Sequence, residues 1–97
     1  MRCQVSNTIA ELEATIANRR EHPREGSYTC RLFAEGETEI LKKLGEEAIE
    51  VVVAAALQER ERVVYESADL IYHLLVALAA KGIAWQEIEA ELKRRFK

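Results

Sequence analysis

The stretch Lys42-Lys43-Leu44-Gly45-Glu46-Glu47-Ala48-Ile49-Glu50 decides how this chain is read. Apolar residues recur around it at Ile40, Leu41, Leu44, Ala48, Val51, Val52 and Ala55, the spacing of an amphipathic helix. Glu47 and Glu50 stand three residues apart, about 300° of helix, so both carboxylates lie on one side, one turn apart. A second segment, Glu66-Ser67-Ala68-Asp69, repeats the arrangement inside another long apolar helical pattern. Two such helices packed antiparallel bring four carboxylates together. Unpaired carboxylates beside an apolar seam repel one another and resist leaving water. A divalent cation resolves that conflict. An all-oxygen donor set suits Mg²⁺, with Mn²⁺ as a substitute.

Working outward, the first of these helices is predicted from about Glu37 to Gln58 and the second from about Arg60 to Lys81. The short charged link Gln58-Glu59-Arg60-Glu61 makes them antiparallel neighbours. The apolar stripe of the first centres near Ala55 and Val51, with Lys43, Glu47 and Glu50 on its flank. From Val51 to Leu57 that helix is apolar nearly all round, the mark of burial on several sides. Gly45 costs a helix interior about 1 kcal/mol relative to alanine and is read as room for a backbone or ligand to approach closely. In the second helix, Glu66, Asp69 and His73 share a face, with Arg62 one turn earlier. Val63, Val64, Leu70, Ile71, Leu74, Leu75 and Leu78 cover most of the rest, which predicts the most buried helix of the chain.

Upstream, Thr8 and Glu11 fit a capping box that opens a helix with the apolar stripe Ile9, Leu12 and Ile16. His22-Pro23 ends it, because a residue before proline is pushed out of the helical region. Ser27 caps a short helix holding Tyr28, Leu32 and Phe33, and Gly36 stops it. Residues 23–36 show no period-two alternation, so no strand is expected. Lys81-Gly82 is a further helix stop, and a last helix runs from Trp85 to about Phe96 with Ile88 and Leu92. Its acidic start and its basic end, Lys93, Arg94, Arg95 and Lys97, complement the helix dipole. Arg94 or Arg95 is also a candidate to reach a phosphate. The expectation is an all-α bundle of four to five helices.

Ninety-seven residues make one domain, 1–97, with residues 1–6 read as a loose N-terminus. A core of this size is marginal, and oligomerisation is a common remedy. Apolar residues at 48% and charged residues at 32% describe a globular chain. The net charge of −3 argues against nucleic acid as the main partner. Cys3 and Cys30 form no CxxC and no metal spacing, so both are read as reduced thiols in a cytosolic protein, Cys30 as a structural one. Met1 to Ala10 lacks the apolar stretch of a signal peptide. The longest uncharged run, Leu70 to Ala80, is too short to span a bilayer.

Other chemistries lack their residues. Bundled di-iron sites need Glu-x-x-His, which the chain does not contain. Zinc lacks a His/Cys set. With neither a Walker A sequence nor GxGxxG, any phosphate must be held by metal, lysine and arginine. His73 is read as a satisfied or outer-sphere histidine rather than a metal ligand.

These residues resemble a known family. Ser27-Tyr28-Thr29, Leu32-Phe33, Gly36, Lys42-Lys43-Leu44-Gly45-Glu46-Glu47-Ala48-x-Glu50 and Glu66-x-Ala68-Asp69-Leu70-x-Tyr72-His73-Leu74 look like phosphoribosyl-ATP pyrophosphohydrolase, the second enzyme of histidine biosynthesis. That family lies within the all-α, MazG-like NTP pyrophosphohydrolases, and the resemblance covers roughly residues 8 to 96. Ser67 is the one small departure, standing where a small apolar residue is usual. The resemblance implies a helical, dimeric, cytoplasmic enzyme. It would hydrolyse the α–β phosphate bond of phosphoribosyl-ATP with Mg²⁺, giving phosphoribosyl-AMP and pyrophosphate. It implies Glu47, Glu50, Glu66 and Asp69 as metal ligands and Lys42 and Lys43 as the basic pair beside them. Glu46 or Glu50 is the candidate base. Ser27, Tyr28, His73 and Arg95 join the lysines as candidate substrate-binding residues. A stand-alone form is expected, with no nucleic-acid or membrane partner. Two rivals stay open: a related pyrophosphohydrolase acting on free dNTPs, and a non-catalytic helical dimerisation module whose carboxylates are a solvated stripe.

Overall fold

The structure, a computed structural model, describes residues 7–96. Cys3, the N-terminal segment 1–6 and Lys97 lie outside the described residues. Five helices follow in order: α1 (Thr8–Glu21), α2 (Tyr28–Glu35), α3 (Glu37–Leu57), α4 (Arg60–Ala80) and α5 (Trp85–Arg94). Among the described residues there is no strand, so the all-α expectation holds.

The punctuation of the chain is local chemistry. α1 ends at His22 before Pro23. Ser27 Oγ accepts the Cys30 N–H at 3.1 Å and caps α2. Gly36 ends α2 and opens α3 in a single residue. Its N–H donates to the Leu32 carbonyl and its own carbonyl accepts from Ile40, both at 3.1 Å. Its φ of 99° is a conformation that side-chain-bearing residues rarely adopt. α4 stops in a Schellman arrangement: Ile83 N–H donates to the Leu78 carbonyl and Gly82 N–H to that of Ala79. Two expectations are corrected here. Asn7, not Thr8, occupies the N-cap position of α1, so Thr8 is already helical and the Thr8–Glu11 box is displaced. At Gly45, a built Cβ meets nothing within 4 Å, so no close approach uses that glycine within the protomer.

α3 and α4 form the antiparallel hairpin, α1 packs on α4, α2 bridges α1 and α3, and α5 leans on α1. The core is Ile16, Leu32, Ile40, Leu75, Val76 and Ala77, one or more from each of the first four helices. α4 contributes most, as expected. It is long and apolar enough to cross a membrane by length and composition, which its uncharged run alone does not show. α1 and α3 pack against it and Leu75, Val76 and Ala77 enter the core, while Val64, Tyr65 and Ile71 stay exposed.

The seam of α3 differs from the sequence reading. Its buried residues are Ile40, Glu47 and Ala54 at seven-residue spacing, rotated by roughly 60° from the expected centre. Hydrophobicity alone favours the Val51–Ala55 side, but the polar face of α4 draws Glu47 into the contact. The rotation turns apolar side chains outward. Val52, carried away from the seam, is 63% exposed; Leu57 at the end of α3 is 81% exposed, and Ile49 of α3 and Val64 and Tyr65 of α4 are exposed as well. The expected all-round burial of α3 is therefore absent from the protomer. Its radius of gyration, 15.0 Å, exceeds the about 13 Å of a compact domain this long.

Candidate active site

The antiparallel hairpin sets Glu47 of α3 against Asp69 of α4. Glu47, Asp69 and His73 each offer a ligand atom, all within 4.8 Å of one another. Glu47 and His73 are buried and Asp69 is half-buried. Burial pushes the Glu47 carboxyl up, and a hydrogen bond to Asp69 and that residue's charge push it further. Lys43 pulls it back only in part. The two carboxylates lie close enough to repel each other when both are charged, and a proton or a cation between them relieves that repulsion. This contact is the test of fit for a metal. Its donors are hard oxygens, the pair is held by two packed helices, and removing the proton leaves two charges that only a cation neutralises.

His73 is fully engaged. Its Nδ1 lies 2.8 Å from the Asp69 carbonyl, which can only accept, so Nδ1 carries the proton. Nε2 then accepts from the Tyr28 hydroxyl at 3.0 Å. Burial pushes the Tyr28 phenol up, which keeps it a donor. His73 Nδ1 also stands 3.4 Å from Asp69 Oδ1. The imidazole therefore orients Asp69 and joins α4 to α2, in keeping with its reading as a satisfied histidine. A second tie, Thr29 Oγ1 to the Tyr72 hydroxyl, runs between the same helices.

Lys43 completes the cluster on α3. Its Nζ lies 3.5 Å from Glu46 and 3.8 Å from Glu47. Burial lowers its affinity for the proton, but Tyr28, Glu46 and Glu47 together outweigh that and hold it charged. The remaining candidates are placed differently. Glu66 is buried one turn before Asp69 and held by Arg62 at 2.5 Å. Glu50 is exposed, three residues beyond Glu47, where the antiparallel register sets it opposite Glu66. Neither belongs to the Glu47–Asp69–His73 group. Glu46 is exposed and tied to Lys43. Lys42 is exposed and lies 3.8 Å from Glu39, one turn before. Ser27 spends its oxygen on the α2 cap. Arg95 sits at the end of α5 on Glu91, which it shares with Arg94, and is not brought to the cluster. Cys30 acts structurally: its thiol donates to the Arg19 carbonyl at 3.3 Å and accepts from Arg24 N–H at 3.4 Å.

Sequence reasoning placed Arg62 on the Glu66 face without pairing the two, although their four-residue spacing is the signal for it. The Tyr28–His73 and Thr29–Tyr72 ties leave no such signal, because their partners are 45 and 43 residues apart.

The sequence matches known proteins over most of its length. The phosphoribosyl-ATP pyrophosphohydrolase family model matches residues 9–96. A phosphoribosyl-ATP pyrophosphatase of Metallosphaera sedula is 50% identical over 96% of this chain and 100% of its own length. Another, of Pyrobaculum aerophilum, is 48% identical over the whole of both chains. A histidine biosynthesis bifunctional protein HisIE of Pyrococcus furiosus is 55% identical over 92% of this chain, which spans 41% of that longer protein. Such a match over almost its whole length, with the acidic hairpin at its centre, places the chain in the phosphoribosyl-ATP pyrophosphohydrolase family.

Proposed function

We propose that this chain hydrolyses phosphoribosyl-ATP between its α and β phosphates, releasing pyrophosphate and phosphoribosyl-AMP in histidine biosynthesis. Support comes from the family match and, above all, from the Glu47–Asp69 contact, a buried carboxylate against a half-buried one that calls for a cation. Glu47 and Asp69 would hold Mg²⁺, with Glu50 and Glu66 next along the seam. The ion supplies charge neutralisation for the phosphates and the leaving pyrophosphate. Lys43 adds a fixed positive charge beside Glu47 for a phosphate oxygen. Water attacks the α phosphorus, the bond to the bridging oxygen breaks, and a carboxylate takes the proton of the water. Glu46 is tied to Lys43, whereas Glu50 makes no ion pair among the described residues and is the freer base. Tyr28 and His73 hold Asp69 in place by the bonds described above.

The test is pyrophosphate release from phosphoribosyl-ATP, with Mg²⁺ and then with EDTA. Rapid release only with Mg²⁺ is expected. Mg²⁺ at a hundredfold excess over its Kd also stabilises the fold by about 2.7 kcal/mol. No release from a folded, Mg²⁺-stabilised protein points to another nucleotide, and a dNTP panel then identifies it. No release and no Mg²⁺ effect on melting returns the carboxylates to a solvated stripe on a helical module.

The same proposal includes a homodimer in the cytoplasm, with neither nucleic acid nor membrane as a partner. The exposed apolar side chains of the α3–α4 hairpin, among them Val52, Leu57, Val64 and Tyr65, and the large radius of gyration support a second copy packed against this hairpin. Sedimentation equilibrium is expected to give twice the 11.0 kDa chain mass. A monomer at micromolar concentration contradicts it.

A further inference from the structure

Phosphoribosyl-ATP, as its name specifies, carries phosphate at both ends. The triphosphate lies at one end and a single 5-phosphate on the second ribose at the other, with a ribose and a purine between. The carboxylate cluster and Lys43 accommodate the first end. The chemistry of the second calls for a separate cationic pocket connected to the same cleft.

Three shallow hollows run in series along the start of α2, each of 260 to 350 Å³, and adjoining ones share walls. The inner one is lined by Lys43, Tyr28 and Arg31 and opens beside the cluster, since Lys43 lies 3.8 Å from Glu47. Tyr28 and Arg31 also wall the middle hollow, together with Gly26 and Ser27. Gly26 and Ser27 continue into the outer one, which Arg19 and Arg24 complete. The acids along the inner hollow are already matched, Glu35 at 4.0 Å from Arg31 and Glu39 at 3.8 Å from Lys42. Glu25 is the one acid lining the middle and outer hollows, against Arg19, Arg24 and Arg31, of which Arg31 also faces Glu35. The guanidinium of Arg24 makes no ion pair or hydrogen bond among the described residues.

Arg31 is held through its side chain and Arg24 through its backbone. Arg31 lies over the Tyr28 ring, 5.1 Å from its centroid. The Cys30 thiol bridges the backbones of Arg19 and Arg24, fixing the loop that carries Arg24 to the end of α1. A cation held in advance loses less freedom when it meets a phosphate, and arginine meets it with a two-pronged hydrogen-bonding face.

We propose that Arg24 and Arg31 hold the 5-phosphate of the phosphoribosyl group and so distinguish phosphoribosyl-ATP from ATP. This rests on the proposed substrate. The hydrolysis itself belongs to the hairpin, and recognition of the distal phosphate to the loop and first turn of α2.

The experiment is equilibrium binding of phosphoribosyl-AMP and of AMP, by calorimetry with Mg²⁺ present, which needs no turnover. The two ligands differ only by the phosphoribosyl group. Wild-type protein is expected to bind phosphoribosyl-AMP at least about tenfold more tightly. Arg24→Ala is expected to reduce that preference, and Arg24→Ala combined with Arg31→Ala to abolish it. Both side chains are exposed, so neither change touches the core. Absence of a preference in the wild-type protein overturns the inference. So does a preference that survives the double variant, or equal weakening of both ligands. A preference lost as expected, in a protein that releases no pyrophosphate from phosphoribosyl-ATP, upholds the subsite and counts against the reaction alone.

Discussion

Asp69→Asn is expected to lower turnover of phosphoribosyl-ATP by at least about a hundredfold while all five helices stay folded, since even groups behind a metal ligand cost ten- to a hundredfold. The reasoning starts from which atoms of Asp69 do what. Its carbonyl oxygen, not its carboxylate, receives the His73 Nδ1 proton at 2.8 Å. The imidazole and its Tyr28 bond therefore survive the substitution. What changes is the contact with Glu47, where a carboxylate becomes an amide able to donate. Without metal the melting temperature should hold or rise, because a like-charge contact is replaced by a hydrogen bond. With Mg²⁺ the stabilisation seen in the wild-type protein should vanish together with activity. A mutant turning over near the wild-type rate sinks the assignment of Asp69 to the metal.

The second large effect concerns Glu47. Its carboxyl is held above its ordinary value of 4.5, chiefly by burial and then by Asp69. The folded state therefore binds the proton more tightly than the unfolded chain does. Stability then falls as pH rises from about that value through the raised one, and the loss is complete above it. In EDTA, melting temperature should decline across this window. Mg²⁺ should reverse the decline by taking the place of the proton. Glu47→Gln should flatten the slope, abolish the Mg²⁺ response and reduce turnover by a factor like that of Asp69→Asn. An unchanged slope in Glu47→Gln would show that another group sets it.

How legible these features were in the sequence depended on how local their causes are. Pro23, Ser27, Gly36 and Gly82 act within a few residues, and each ended or opened a helix where expected. The four carboxylates were legible as types and spacings, since three-residue offsets fix faces within a helix. Which pair would meet was not, because that depends on how α3 rotates against α4. The apolar pattern pointed to Val51 and Ala55, and the structure buries Ala54 and Glu47 instead. A hydrophobic stripe has no means of registering that an acidic side chain gains a partner by turning inward. The role of Tyr28 was suggested by likeness to the family, and its hydrogen bond to His73 became visible only when α2 was seen lying across the hairpin.

The arrangement of α2 has a consequence for how such a protein changes over time. Glu47, Asp69 and His73 all lie on a single helical hairpin, while Tyr28, Arg31 and the loop before them lie on a neighbouring segment joined to it through Gly36. On the proposed roles, reactivity and selectivity are written mostly in separate stretches of chain. Substitutions at an outward-facing position such as Arg31 can then retune which molecule is admitted, whereas Tyr28 is tied to the acidic pair through His73 and Leu32 belongs to the core. A lineage with this layout can explore new substrates at such outward-facing positions while the tied residues keep the acidic hairpin in place.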